Sequence, residues 1–267
     1  MSQPLTVPPG QPIRLADFDA RYRGDADGKK EAKKELQENR EALADLGYRL
    51  YAENRRSLLL VLQGMDTAGK DGTIRHVMRG FNPQQCQVKS FKQPSVEELD
   101  HDFLWRIAKA LPSKGDIGIF NRSHYEDVLI VRVHGLVSDE VWQARYDRIN
   151  AFEQLVAGGG ATLIKVFLHI SKDEQRERLQ ARLDNPNKRW KLSRADVAER
   201  KFWDDYQAAY EEALTRCNTE HAPWYIVPAD RKWYRNLIVS RLLRRALERM
   251  DPQFPPAEPD IEKLRIE

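Results

Sequence analysis

Cysteine is nearly absent from this chain. Cys86 and Cys217 are the only two in 267 residues, and they lie far apart without metal-ligand spacing. That argues against a disulfide framework and fits a reducing compartment. The six histidines are scattered with no His-x3-His pair, so no zinc site is expected. No apolar run approaches the roughly 20 residues of a membrane helix. The opening "MSQPLTVPPGQPIRL" has no basic region followed by an apolar one, so no signal peptide is expected and the cytoplasm is the expected location. Net charge is only +3, too small to identify a polyanionic partner by itself. Internal repeats and long linkers are missing as well.

What is present suits one large α/β domain, with 41% hydrophobic residues for a core and 32% charged residues for a solvated surface. Residues 1–25 are rich in proline and polar groups and read as an extended arm. From about Asp27 to Arg56 the chain reads as a helix, with Leu36, Leu43, Leu46 and Leu50 at spacings of seven, three and four. Then the period changes. "LLLVL" (58–62) is a continuous apolar run, as expected of a strand buried on both faces of a parallel sheet. Further strands are expected at 86–91, 116–120, 162–170 and 224–229. Helices are expected from Ser95 to about Leu111, over 138–157 and over 231–250. Ser95 with Glu98, and Ser171 with Glu174, have capping-box spacing. Gly158, Gly159 and Gly160 are expected to end the third helix in left-handed conformations. Alternating strands and helices imply βαβ units, an open parallel sheet of five strands, and helices on both faces. The Pro-rich end from Asp251 reads as a tail.

The chemistry sits at strand ends. Gly64-Met65-Asp66-Thr67-Ala68-Gly69-Lys70 fits Gly-x4-Gly-Lys between a strand and a helix. Such a loop turns backbone N–H groups onto phosphate oxygens, adds the helix N-terminus, and brings Lys70 to the terminal phosphates. Asp71 stands where a phosphate loop usually has Ser or Thr, with Gly72 after it. Two acids here, Asp66 and Asp71, make sense if a divalent cation joins the phosphates. Asp66 is the favoured metal ligand. For Asp71, a metal role and plain stabilisation of a helix N-terminus are equally weighted.

The third strand leads into "FNRSHYEDVL", with Asn121, Arg122, Glu126 and Asp127 at the carboxyl end of the sheet, where open α/β folds bind ligands. Arg122 is suited to clamp a phosphoryl group, and Asp127 to serve the metal or orient the attacking phosphate. From Lys165 to Lys201 there are eleven Lys or Arg against six Asp or Glu. Arg178 and Arg182 share a helix face, and Lys188, Arg189 and Lys191 flank Trp190. A basic lid over phosphates accounts for this cluster better than nucleic-acid binding, because aromatic interleaving is thin.

Taken together, "GMDTAGKDGTI", "FNRSHYEDVL", "RLDNPNKRWK" and "APWYIVPADRKWYRN" resemble the polyphosphate kinase 2 family over roughly residues 55–245. The resemblance implies a phosphate-loop kinase fold like that of thymidylate kinase, with a five-stranded parallel sheet and a helical lid. One domain would span 1–267: arm and first helix to 56, core 57–250, lid about 178–195, tail 251–267. It implies reversible, Mg²⁺-dependent transfer of the terminal phosphoryl group of inorganic polyphosphate to AMP or ADP, with Mn²⁺ as a substitute metal and guanine as a second base.

Carried onto this chain, the resemblance makes Asp66, Lys70, Arg122, Asp127, Arg178 and Arg182 catalytic, with Asp66 and Asp127 as metal ligands. Gly64, Thr67, Ala68, Gly69, Lys70, Asp71, Gly72, Lys188 and Arg189 would bind phosphate. Asn121, Arg122 and Glu126 would meet the nucleotide, and the "HYED" form with Glu126 resembles the class III members that accept monophosphates as well as diphosphates. A homo-oligomer without nucleic-acid or membrane partners is expected. Two rival readings stand beside it: an ATP-dependent nucleoside or nucleotide kinase of the same fold, and a non-catalytic nucleotide- or polyanion-binding module.

Overall fold

β-branched and leucine-rich segments pair into one sheet in the computed structural model, which describes residues 5–24, 26 and 28–266. The strands are β1 (Leu5–Thr6), β2 (Ser57–Gln63), β3 (Cys86–Ser90), β4 (Ile117–Asn121), β5 (Ala161–His169) and β6 (Trp224–Pro228), in the order β1-β6-β5-β2-β4-β3. β2 to β6 are mutually parallel, as the sequence implies. β1 is an addition: two residues of the segment read as an extended arm pair antiparallel with β6. Of that arm, residues 1–4 and 25 lie outside the described residues, as does Asp27 at the expected start of the first helix.

β2 is central and buried at all seven positions, so both its faces are covered, and this is why it reads as an unbroken apolar run. β3 is an edge strand, largely exposed. The helices are α1 (Lys29–Glu53), α2 (Lys70–Val77), α3 (Val96–Leu99), α4 (Trp105–Ala108), α5 (Ile130–Val133), α6 (Asp139–Gly158), α7 (Lys172–Asp184), α8 (Arg194–Ala198), α9 (Trp203–Arg216) and α10 (Lys232–Met250). Leu36, Leu43 and Leu50 form the buried stripe of α1, which packs along α10.

Three local expectations are corrected. The helix expected from Ser95 to about Leu111 is two short pieces. Ser95 and Glu98 do form a reciprocal capping box at the start of α3. The chain then restarts at Asp102, whose carboxylate accepts the Leu104 N–H at 3.0 Å and whose carbonyl accepts from Trp105, a local turn that competes with helix. At α7, Ser171 accepts the Glu174 N–H at 3.1 Å, but the box is not closed. The Ser171 N–H goes to Asp230 at 2.9 Å, and Glu174 turns to Arg178 instead. Of the three glycines at the end of α6, Gly158 is still helical and only Gly160 is left-handed, at φ +95°.

Candidate active site

The parallel register sets β2 between the carboxyl ends of β4 and β5, with Leu62 opposite both Asn121 and Val166. The Gly64–Gly69 loop therefore leaves the sheet flanked by the "FNRSHYED" segment on one side and the end of β5 on the other. Gly64 has φ +150°, and a Cβ there would lie 2.8 Å from the Leu168 carbonyl oxygen, so the loop passes too close to β5 for any side chain.

Every carbonyl from residue 64 to 68 is held by a side chain. Lys70 Nζ donates to Gly64 O at 2.6 Å and to Met65 O at 3.4 Å. Gln175 Nε2 takes Asp66 O at 3.1 Å. Arg178 Nη1 takes Thr67 O at 2.9 Å and Ala68 O at 3.1 Å, and Arg235 Nη1 also takes Ala68 O, at 3.0 Å. In a trans peptide the C=O and the next N–H point in opposite directions. The N–H groups are thus turned away from these struts. Among the described residues only the Ala68 N–H, of those from 65 to 72, finds a protein acceptor, the Met65 carbonyl. The rest are free donors at the N-terminus of α2, which is what an anion needs.

The acids of the loop are tied to the end of β4. Arg122, itself left-handed at φ +64°, pairs with Asp66 at 2.7 Å and with Glu126 at 3.2 Å. The Glu126 and Asp66 charges raise the guanidinium's pKa, fixing it as a cation. Asn121 Nδ2 donates to Asp71 Oδ1 at 2.8 Å, so the acid in the usual hydroxyl position anchors α2 to β4. Lys70 is buried, and burial together with the Arg122 charge pushes its ammonium down to about 8, against the pull of Asp66, Glu126 and Asp71.

Other expected residues lie elsewhere. Asp127 faces Arg145 at 3.5 Å and Arg106 at 3.7 Å rather than Asp66 or Arg122. Burial raises its pKa despite those cations, and its Oδ2 is buried without a hydrogen-bond partner. Arg178, expected to face phosphate from a lid, lies behind the loop. Its remaining N–H groups go to Glu174 at 2.7 Å, Ala229 O at 2.7 Å and Asp230 O at 2.9 Å, so all five are engaged by protein. Arg182 points the other way and holds the Lys191 carbonyl at 3.1 Å. It shares that task with Arg189, which donates to Leu183 O at 2.8 Å, and together they brace the 3-10 turn Pro186–Lys191 against the end of α7. Lys188 and Trp190 of that turn are exposed.

Three contributors have no role assigned from the sequence, although Arg235 lies within the "APWYIVPADRKWYRN" segment. Gln175 and Arg235 belong to helices whose other faces are ordinary. The third is a wholly buried network behind "HYED": Lys165 Nζ donates to Glu153 at 2.6 Å and Tyr125 Oη at 2.8 Å, while Glu153 also accepts from Tyr125 and meets His124 Nε2 at 3.1 Å. It clamps His124 and Tyr125 and so fixes where Arg122, Glu126 and Asp127 can stand.

Known proteins share this arrangement of chain. The Polyphosphate kinase 2 (PPK2) family profile matches residues 26–255. An AMP/ADP-polyphosphate phosphotransferase of Meiothermus ruber is 53% identical over 234 residues, covering 85% of this chain and 88% of the relative. An ADP-polyphosphate phosphotransferase of Rhodopseudomonas palustris is 51% identical over 231 residues, covering 82% of this chain and 80% of the relative. The crystal structure of polyphosphate kinase 2 from Arthrobacter aurescens TC1 superposes with a TM-score of 0.94 at 46% identity, over 97% of this chain and 93% of that one. With its phosphate loop, its β4-end motif and this match across most of its length, the chain belongs to the polyphosphate kinase 2 family.

Proposed function

We infer that this protein transfers the terminal phosphoryl group of inorganic polyphosphate to AMP or ADP. The observation that carries the reading is the loop whose carbonyls 64–68 are all held by side chains, leaving its N–H groups and the third donor of Lys70 for an anion. The names of the Meiothermus and Rhodopseudomonas relatives support polyphosphate as donor and adenine nucleotides as acceptors. Among the described residues no helix is long and apolar enough to cross a membrane.

In the reaction, a terminal phosphate oxygen of the nucleotide attacks the end phosphorus of the chain in line. The P–O bond to the next phosphate breaks, and the shortened polyphosphate leaves as an anion. Lys70 and Arg122 offset the charge that spreads over the transferred group, and the loop N–H groups hold it in place. Glu126 and Asp66 keep Arg122 aimed, and Glu126 is the residue we assign to acceptor choice. Lys188 and Arg189, exposed on the turn after α7, are suited to meet the polyphosphate from the lid side, with Arg182 bracing that turn.

Phosphoryl transfer of this kind uses a divalent cation, Mg²⁺ by preference, which supplies further neutralisation of the phosphates. The residues fit that ion in a particular way. No cluster of three or more potential ligands exists among the described residues, so a full protein cage is not on offer. Mg²⁺ needs only one or two carboxylates beside water and phosphate oxygens. Asp66 is partly exposed at the loop, and Asp127 carries a buried oxygen that takes no hydrogen bond, with Arg106 at 3.7 Å; these are the two we assign to it.

The test is a donor swap: AMP or ADP with Mg²⁺ and polyphosphate but no ATP, with products separated by chromatography. ADP and ATP should appear. No product with polyphosphate, together with turnover when ATP is supplied as donor, would establish the ATP-dependent kinase in its place.

A further inference from the structure

Arg235 leaves the first turn of α10 and is 3% exposed, directly behind the loop. Its Nη1 donates to the Ala68 carbonyl at 3.0 Å, and its Nε and Nη2 both donate to Asn236 Oδ1, at 3.2 and 2.9 Å. The guanidinium is pressed onto the start of α2: a Cβ on Gly69 would lie 1.8 Å from Nη1, and one on Gly72 would lie 3.2 Å from Nη2.

What it does not have is a counter-charge. Its acceptors are one carbonyl and one amide oxygen, and no ion pair is formed by Arg235 among the described residues. Its charged neighbour is another cation, Arg178, which donates to the same Ala68 carbonyl and has Glu174 at 2.7 Å for itself. Burial and the Arg178 charge push the Arg235 guanidinium down to about 9, far below the ordinary arginine value. Burying a cation without a compensating anion costs stability, and natural cores tolerate it where something else supplies the anion.

The position says what that anion is. The Ala68–Gly69 peptide has its carbonyl on Arg235 and its N–H on the opposite side, at the N-terminus of α2. We propose that Arg235 is a positioning residue whose unmatched charge is held for the phosphates of the substrate, acting through the Ala68–Gly69 peptide it polarises. The proposal rests on the reading of the Gly64–Gly72 loop as the phosphate site. Arg235 touches no phosphate itself. It aligns the Gly69 N–H and adds a positive field behind it, and its burial is compensated only when a polyanion occupies the loop. Stability of the free protein is the quantity given up for anion affinity.

Two variants of the full-length protein separate charge from shape. Arg235→Lys keeps a cation and a donor; Arg235→Gln keeps a donor and removes the charge. The probe is tripolyphosphate, titrated calorimetrically at two ionic strengths, with ligand-free melting and steady-state kinetics alongside. Arg235→Gln should bind tripolyphosphate about tenfold more weakly, the scale of one unit charge several ångströms away at a partly screened site. It should raise KM for polyphosphate more than it lowers kcat, show a weaker salt dependence, and melt no lower than Arg235→Lys when ligand-free. Arg235→Lys should bind within about threefold of the parent. Equal binding by the two variants, whether both are intact or both are weakened, overturns the proposal, because charge would then be irrelevant. So does a ligand-free Arg235→Gln protein that melts well below Arg235→Lys, which marks a purely structural role. Failure of the unaltered protein to bind tripolyphosphate would instead overturn the reading of the loop, and this proposal with it.

Discussion

Asp66 and Arg122 meet at 2.7 Å, joining the phosphate loop after β2 to the turn after β4. The two side chains are about one-third exposed, at 33% and 37%, so the pair is open to solvent and to substrate. A contact of that exposure contributes little to stability. Asp66→Asn keeps the shape and one hydrogen bond but removes the charge. Turnover should fall by about 100-fold or more, the range for loss of a group that acts on developing charge, while the melting temperature stays within about 3 °C. Steady-state kinetics and calorimetry on the same preparation check both halves, and a variant that keeps its turnover would remove Asp66 from the mechanism.

Lys70 gives a pH dependence with a definite sign. Its ammonium is disfavoured by burial and titrates at about 8, against an ordinary value of 10.5. Between those values the unfolded chain holds a proton that the folded chain has released, so ligand-free stability rises with pH across that window. Activity should run the other way, because the cation is the useful form. kcat/KM for polyphosphate should fall above about pH 8, reporting the free enzyme. Bound phosphates favour the ammonium, so the limb in kcat should lie at higher pH. Lys70→Arg should lose this limb; an unchanged alkaline limb in that variant would assign it to another group.

The Glu153–Lys165 pair is fully buried, at 2.6 Å, with Tyr125 and His124 attached. Glu153→Gln leaves the Lys165 ammonium with neutral oxygens alone, those of Tyr125, the Cys217 carbonyl and the new amide, and no anion. Breaking a buried pair from one side costs about 3–5 kcal/mol. Denaturant unfolding should show that loss, and activity should drop as the turn carrying Arg122 and Asp127 loosens. A loss below about 1 kcal/mol would mean the network is not what holds the turn.

Gly69 and Gly158 make a matched test of backbone constraint. Gly69 has φ +107° and no room beside Arg235, whereas a Cβ on Gly158 meets nothing within 4 Å. Gly69→Ala should cost about 1–3 kcal/mol and abolish tripolyphosphate binding. Gly158→Ala should be neutral or slightly stabilising. Unfolding curves and titrations of the two variants would contradict this if Gly69→Ala behaved like Gly158→Ala.

Much of this protein is legible in its sequence because the signals are local. β2 reads as a strand because a segment buried on both faces must be apolar throughout, and the Gly-x4-Gly-Lys run follows from the bend and close approach it needs. Leu36, Leu43 and Leu50 announce the buried face of α1 by spacing alone. The capping box at Ser95 is likewise written in four residues. Family membership follows from several such segments in order, and the match over residues 26–255 agrees with it.

Tertiary structure decided the partners. Spacing places Arg178 and Arg182 on one helix face, but whether an arginine meets phosphate or a loop carbonyl depends on what packs across from it. Arg178 finds the carbonyls of Thr67 and Ala68, more than 100 residues away, and Arg182 finds the turn that follows its own helix. Asp71, ambiguous in sequence, bonds to Asn121 because parallel pairing brings the ends of β2 and β4 together. The motif groups Asp127 with Asp66, yet the 3-10 turn at His124–Asp127 sends it to Arg106 and Arg145. Arg235 lies inside the "APWYIVPADRKWYRN" segment, but nothing in that segment marks its role. Its meaning comes from low-dielectric burial behind a loop it meets only in the folded chain, where a charge without a partner becomes visible as one.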